Sequence, residues 1–237
     1  MIDWNKSMKC FYASPIQASR ALITGLLKAV SGASGRLFTI ALSGGTTPAT
    51  LFEVWKREYV SCTPWSRIRF YWVDERCVSP SDEQSNFGLA NRLLLGQVGI
   101  AASHYYRIAG EEIPEEEARR YTSIVRTTVP AMGGVPVFDY VLLGIGEDGH
   151  TSSIFPDRMD LLYTREPYVV SVNPYNETVR ICMTGLPMIK ARHTCFLVTG
   201  ENKRGILQQV QDVRNIGKYP AAYVWHHARF PMLYASF

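Results

Sequence analysis

The chain has 237 residues, 46% hydrophobic and 19% charged, with a formal net charge of +4, which is enough apolar material to bury a substantial core in a single globular domain spanning residues 1–237, or in one with a small appended lobe. Its basic residues are scattered, which excludes a nucleic-acid track while leaving the molecule receptive to small anions. No apolar stretch is long enough to span a bilayer and the opening Met-Ile-Asp-Trp-Asn-Lys lacks a leader pattern, so no membrane association and a cytoplasmic location are expected.

Helical and extended patterns alternate along the chain. Pro15 to Val30 is predicted helical, with Ile16, Leu22, Ile23, Leu26, Leu27 and Val30 at helical spacing, Pro15 in the first turn and Gly32 to Gly35 as the terminator. Leu37 to Leu42 reads as a buried strand, followed by the loop Ser43-Gly-Gly-Thr-Thr-Pro48 and a helix through Leu51, Phe52, Val54 and Trp55. The unit repeats with a strand over Ile68 to Val73, a polar loop Asp74-Glu-Arg-Cys77 and a helix from Glu83 to Leu95. An acid-rich start at Glu111 with arginines downstream predicts a helix to Thr128 whose charges complement its dipole. Phe138 to Ile145, Tyr168 to Val172, Val179 to Met183 and Thr194 to Val198 read as strands, a helix is expected from Asn202 to Val210, and a last strand is expected from Ala221 to Trp225. This alternation predicts a predominantly parallel sheet with helices on both faces.

Three polar loops would then open at the carboxyl ends of the strands, where open α/β sheets bind ligands. In the first, Gly44 and Gly45 let the backbone approach a ligand closely, and Ser43, Thr46, Thr47 and the following helix amino end favour an anion such as phosphate; a capped strand-to-helix turn explains the same residues without a ligand. In the second, Asp74, Glu75 and Arg76 either pair with one another or face a polar cleft. The third, Gly144-Ile-Gly-Glu-Asp-Gly-His150, sets Asp148, Gly149 and His150 at a strand end, and histidine can move a proton near neutral pH. It formally satisfies a dinucleotide fingerprint. Pro156 follows too soon for the required helix, however, and Glu147 and Asp148 would repel a pyrophosphate.

Other candidate ligands are weaker. The five cysteines are odd in number and form no C-x-x-C pair, which reads as reduced thiols. Cys182, His193 and Cys195 as a zinc set rest on spacing alone, so no metal is expected. His226 and His227 lie among aromatics and suit packing rather than ligation.

Leu42-Ser-Gly-Gly-Thr-Thr-Pro48, Trp72-Val-Asp-Glu-Arg76 with Ser85-Asn86, Gly144 to Pro156, and Gly200-Glu-Asn-Lys203 with Tyr219-Pro-Ala-Ala222 occur in an order that resembles the 6-phosphogluconolactonase family over residues 12 to 225. The wider superfamily includes glucosamine-6-phosphate deaminase and ribose-5-phosphate isomerase. The resemblance implies a modified Rossmann-like α/β fold. It also implies hydrolysis of 6-phospho-D-glucono-1,5-lactone to 6-phosphogluconate in the oxidative pentose phosphate pathway, without metal or organic cofactor. The phosphorylated lactone is the expected partner, and the protein is expected to be a monomer or at most a weak homodimer.

On this resemblance His150, Asp148 and Arg76 are the catalytic candidates, and Ser43, Gly44, Gly45, Thr46, Thr47 and Arg180 the phosphate-binding ones. One or both arginines hold the phosphate, and one offsets charge on the carbonyl oxygen. Asp74, Glu75, Asn86 and Gly149 support them, Asn86 by ordering the 74–76 loop. Lys203 matches a recurrent lysine but receives no role. No G-x-S-x-G elbow occurs, so water activated by His150 is the expected nucleophile. A deaminase-like enzyme and a non-catalytic sugar-phosphate sensor are the alternatives. Against the deaminase stand Arg76, where its pattern has tyrosine, and the lack of an acid between His150 and Pro156. The segment after Ala222 departs from the family in lacking an acidic ending.

Overall fold

The computed structural model describes residues 7–33 and 35–237. The opening six residues read above for a leader, and Ser34 of the Gly32 to Gly35 stretch read above as a helix terminator, lie outside the described residues.

In chain order the elements are β1 (Met8–Tyr12), α1 (Pro15–Gly32), β2 (Phe38–Leu42), α2 (Thr46–Glu58), β3 (Ile68–Trp72), β4 (Asp74–Arg76) and α3 (Asn86–Ala90), the last running into a π turn over Asn91–Leu95. Then come α4 (Pro114–Thr128), the short hairpin β5 (Ala131–Met132) and β6 (Val135–Pro136), β7 (Tyr140–Leu143), β8 (Tyr168–Val172), β9 (Val179–Met183), α5 (Gly185–Lys190), β10 (His193–Thr199), α6 (Arg204–Gln211), α7 (Pro220–His227) and β11 (Pro231–Ser236).

Six strands form one parallel sheet in the order β1-β11-β10-β7-β2-β3. Every residue of β2 and β7 is buried, so both faces of the centre are covered; this is why these strands read as unbroken apolar runs rather than alternating ones. Helix α1 contributes Leu22, Ile23, Leu26 and Val30 to that cover, each worth about 1.5–3 kcal/mol when fully buried. The Ser14 hydroxyl caps it by accepting from the Gln17 N–H.

At the opposite end from the loops, Asp139 fastens the sheet. Its carboxylate accepts from both Arg36 terminal nitrogens, at 2.7 and 2.5 Å, and from the Thr39 N–H at 2.9 Å, while Arg192 Nε stands 3.2 Å away. One carboxylate thereby ties together the starts of β2, β7 and β10.

The structure corrects several expectations. The Asp74 loop is strand β4, which leaves the parallel sheet and pairs antiparallel with β9 in a second sheet ordered β4-β9-β8. The helix expected from Glu83 begins at Asn86, because the Ser85 hydroxyl caps it by accepting from the Gly88 N–H at 2.9 Å. Ala221 to Trp225 is helix, not strand: Pro220 starts α7, and its first seven residues are all buried, which erases the helical period. The last strand is β11, which together with β1 was not anticipated. Residues 201–203 form a 3₁₀ turn before α6.

Among the described residues no helix is long and apolar enough to cross a membrane, and no three His, Cys, Asp or Glu side chains gather as metal ligands. Cys182 and Cys195 are buried thiols, and His226 is buried in α7.

Candidate active site

A cleft of about 240 Å³ opens where β2, β7 and β10 end, and β4, β9 and α3 supply its other wall. After β2, Gly45 adopts φ +100° and begins α2, whose first turn has no side-chain cap. Its free N–H groups and the positive end of the helix dipole therefore meet the cleft beside Thr46 and Thr47. Thr47 shares a 3.0 Å hydroxyl contact with Thr199 from β10. The Ser43 hydroxyl also lines the cleft but donates to the Leu142 carbonyl at 2.7 Å, so it can only accept from a ligand. Gly44 must lack a side chain, since a Cβ there would lie 1.9 Å from Asn86 Oδ1.

The second sheet brings two cations together. Arg76 and Arg180 are directly opposed across the β4–β9 ladder, and both line the cleft. Like charges so placed repel, an arrangement that an anion would relieve. Arg180 stands in the central strand of the second sheet, buried rather than at an edge or facing solvent. Burial lowers its pKa and the Arg76 charge adds to that, while Asp74, 3.7 Å away, opposes both. The Nε atoms of both arginines are buried with no protein partner. Arg76 is anchored at its other end, donating to the Gln84 carbonyl at 2.5 Å.

Asp74 is held by two side chains. Asn86 Nδ2 donates to its carbonyl at 2.8 Å and to its carboxylate at 3.0 Å, and Ser153 donates to Oδ2 at 2.6 Å. Glu75 does not reach the cleft. Its carboxylate accepts from the Arg76, Asn86 and Phe87 N–H groups and from Ser85, and so fastens the start of α3 to β4. Burial pushes its pKa up against these donors.

The third loop makes a tight turn in which Gly149 takes φ +83° and Gly146 N–H donates to the His150 carbonyl at 2.9 Å. Tyr219 packs on Gly149 so closely that a Cβ there would fall 2.4 Å from its ring. The turn folds His150 back on Asp148, with Nδ1 and Oδ1 2.6 Å apart. His150 lines the cleft; Asp148 and Gly149 stand behind it. Partial burial would raise the Asp148 pKa, but the His150 side chain and N–H, with the Tyr175 hydroxyl, outweigh it and hold the carboxyl at about 2. An ionised carboxylate cannot donate, so the proton in the 2.6 Å contact belongs to Nδ1, and in the neutral ring Nε2 carries the free lone pair.

A family model described as glucosamine-6-phosphate isomerases/6-phosphogluconolactonase matches residues 13–232. The chain belongs to this family. It is 39% identical to a 6-phosphogluconolactonase of Treponema pallidum over 171 residues, covering 72% of this chain and 71% of that one. The corresponding figures for a 6-phosphogluconolactonase of Haemophilus influenzae are 37% over 186 residues, 77% and 78%. The crystal structure of devB protein, 32% identical, superposes with a TM-score of 0.90 over 97% of this chain and 96% of that chain.

Some residues that line or support the cleft were not assigned a role from sequence. Lys203 and Thr199 line the cleft from just past and at the end of β10, and Lys203 lies 3.9 Å from Glu147. Ser153 links Asp74 to Arg180, to which it stands 3.3 Å away. Tyr175 reaches Asp148 from 27 positions along the chain. The polar Gly200-Glu-Asn-Lys203 segment following β10 was a usable signal for Lys203; nothing local marks Tyr175.

Proposed function

We propose that this protein hydrolyses 6-phospho-D-glucono-1,5-lactone to 6-phosphogluconate, with water activated by His150. The observation that carries this reading is the pairing of a carboxylate-oriented histidine with two opposed arginines in one cleft. The relatives named as 6-phosphogluconolactonase support it.

In the proposed reaction His150 Nε2 takes a proton from water as its oxygen bonds to the lactone carbonyl carbon. The tetrahedral oxyanion is neutralised by a guanidinium. The bond from that carbon to the ring oxygen then breaks, and the imidazolium returns its proton to the departing oxygen. The products are a hydroxyl and a carboxylic acid that ionises in water. Asp148 stabilises the charged ring in between.

The phosphate is assigned to the uncapped start of α2 with Gly44, Gly45, Thr46 and Thr47, together with one arginine. Asp74 and Asn86 keep the arginine strand in place. The chemistry assigned to these side chains includes no cofactor. A cytoplasmic, monomeric protein accords with the reading.

The test is hydrolysis of freshly generated lactone, followed by coupled oxidation of 6-phosphogluconate and corrected for spontaneous decay. Enzyme-dependent acceleration is expected. Folded protein that gives none would end the proposal, and ammonia release from glucosamine 6-phosphate would then test the deaminase reading.

A further inference from the structure

Asp148 uses one oxygen on His150 and has a second. That second oxygen, Oδ2, accepts from the Tyr175 hydroxyl at 2.9 Å. Tyr175 is 70% exposed and sits in the turn between β8 and β9, a place where a tyrosine has little apolar reason to be ordered. The turn nevertheless holds it. Asn173 Oδ1 accepts the Tyr175 N–H at 2.9 Å, and the Asn173 N–H donates across the hairpin to the Thr178 carbonyl at 3.0 Å. Its ring meets Phe155 edge-on at 6.3 Å, and Phe155 in turn touches the His150 ring at 4.8 Å and the Arg180 guanidinium at 5.9 Å.

We infer that Tyr175 is a positioning residue for the proposed hydrolysis: by holding Asp148 Oδ2 it fixes the rotation of the carboxylate so that Oδ1 stays on His150 Nδ1. The inference rests on His150 being the base. A carboxylate bonded at one oxygen only can turn about its last torsion, which is broad for aspartate. With Tyr175 engaged, both oxygens are committed and the proton stays on Nδ1. Tyr175 does not line the cleft, so it acts on the histidine through Asp148 rather than on the lactone. The phenol responds in kind, its pKa raised first by its bond to Asp148.

The test is Tyr175→Phe, which keeps the ring on Phe155 and removes only the hydroxyl. We expect kcat to fall about tenfold with KM unchanged, as for loss of one hydrogen bond to a charged group. The nitrogen-15 signals of the His150 ring should shift away from the pure Nδ1–H tautomer. Unchanged kcat or an unchanged tautomer overturns the inference, and so does a rise confined to KM, which would make Tyr175 a substrate contact. Should the variant fail to fold, the Tyr175 Cζ signal of the wild-type protein decides. Titration above the ordinary tyrosine value supports the inference, and titration at that value overturns it. If the wild-type protein does not hydrolyse the lactone, the proposed reaction fails, while the nitrogen-15 comparison still judges the hold of Tyr175 on the pair.

Discussion

Arg76 and Arg180 face each other as register partners in the β4–β9 ladder, two cations on one antiparallel pair at the wall of a cleft. Their repulsion destabilises the unliganded protein and becomes attraction toward any anion bound between them. Inorganic phosphate should therefore raise the melting temperature. In Arg76→Gln that rise should require roughly tenfold to a hundredfold more phosphate, the range expected from losing a charge-assisted hydrogen bond. Equal phosphate dependence in the two proteins would count against the anion reading.

His150→Gln separates chemistry from binding. Turnover of the lactone should drop by about 10²–10⁴-fold, as for removal of a general base. The phosphate-induced rise in melting temperature should persist, since the start of α2 and the arginines are untouched. Retained turnover in a folded variant would remove His150 from the mechanism.

Asp148 makes a prediction with a definite sign. Its carboxyl is lowered from an ordinary 3.8 to about 2 in the folded protein. A depressed carboxyl contributes stability that is fully present above the unfolded value and lost as pH falls through the folded one. Between pH 4 and 2 the unfolding free energy of the wild-type protein should fall more steeply than that of Asp148→Asn. Parallel slopes in acid denaturation series would contradict the bonded pair.

Asp139 concerns the sheet rather than the chemistry. Asp139→Asn would leave Arg36 facing a neutral amide in place of a buried carboxylate that gathers two arginines and Thr39. A loss of about 3 kcal/mol in denaturant unfolding is expected. Activity per folded molecule should survive, because the clamp lies at the end of the sheet away from the cleft.

The parts of this molecule that were legible in the sequence share a cause. β2 and β7 are buried on both faces and β3 nearly so, and each leads at once or within one residue into glycine, hydroxyl or charged residues, so burial and chemistry were written side by side. Asp148, Gly149 and His150 could be placed because one tight turn contains all three. Where a partner distant in sequence decides the structure, local pattern fell short. Asp74-Glu75-Arg76 contains nothing typical of a strand, and becomes one because β9 offers its backbone. Tyr175 belongs beside Asp148 only once the β8–β9 hairpin is folded over the histidine turn. In α7 the failure is different: a helix enclosed on every side has no polar face to betray its period.

The sheet order has a consequence for how the chain is made. Among the described residues β1 stands at an edge and pairs only with β11, with nearly the whole chain between them. During synthesis the first of these strands must emerge from the ribosome with its backbone unpaired and wait until the last is released. A nascent chain stalled before residue 231 would hold the loops that build the cleft but lack the strand that joins β1 to β10. That edge is where a chaperone that shields extended segments would find its substrate, and joining the two ends of the chain by circular permutation would shorten the wait.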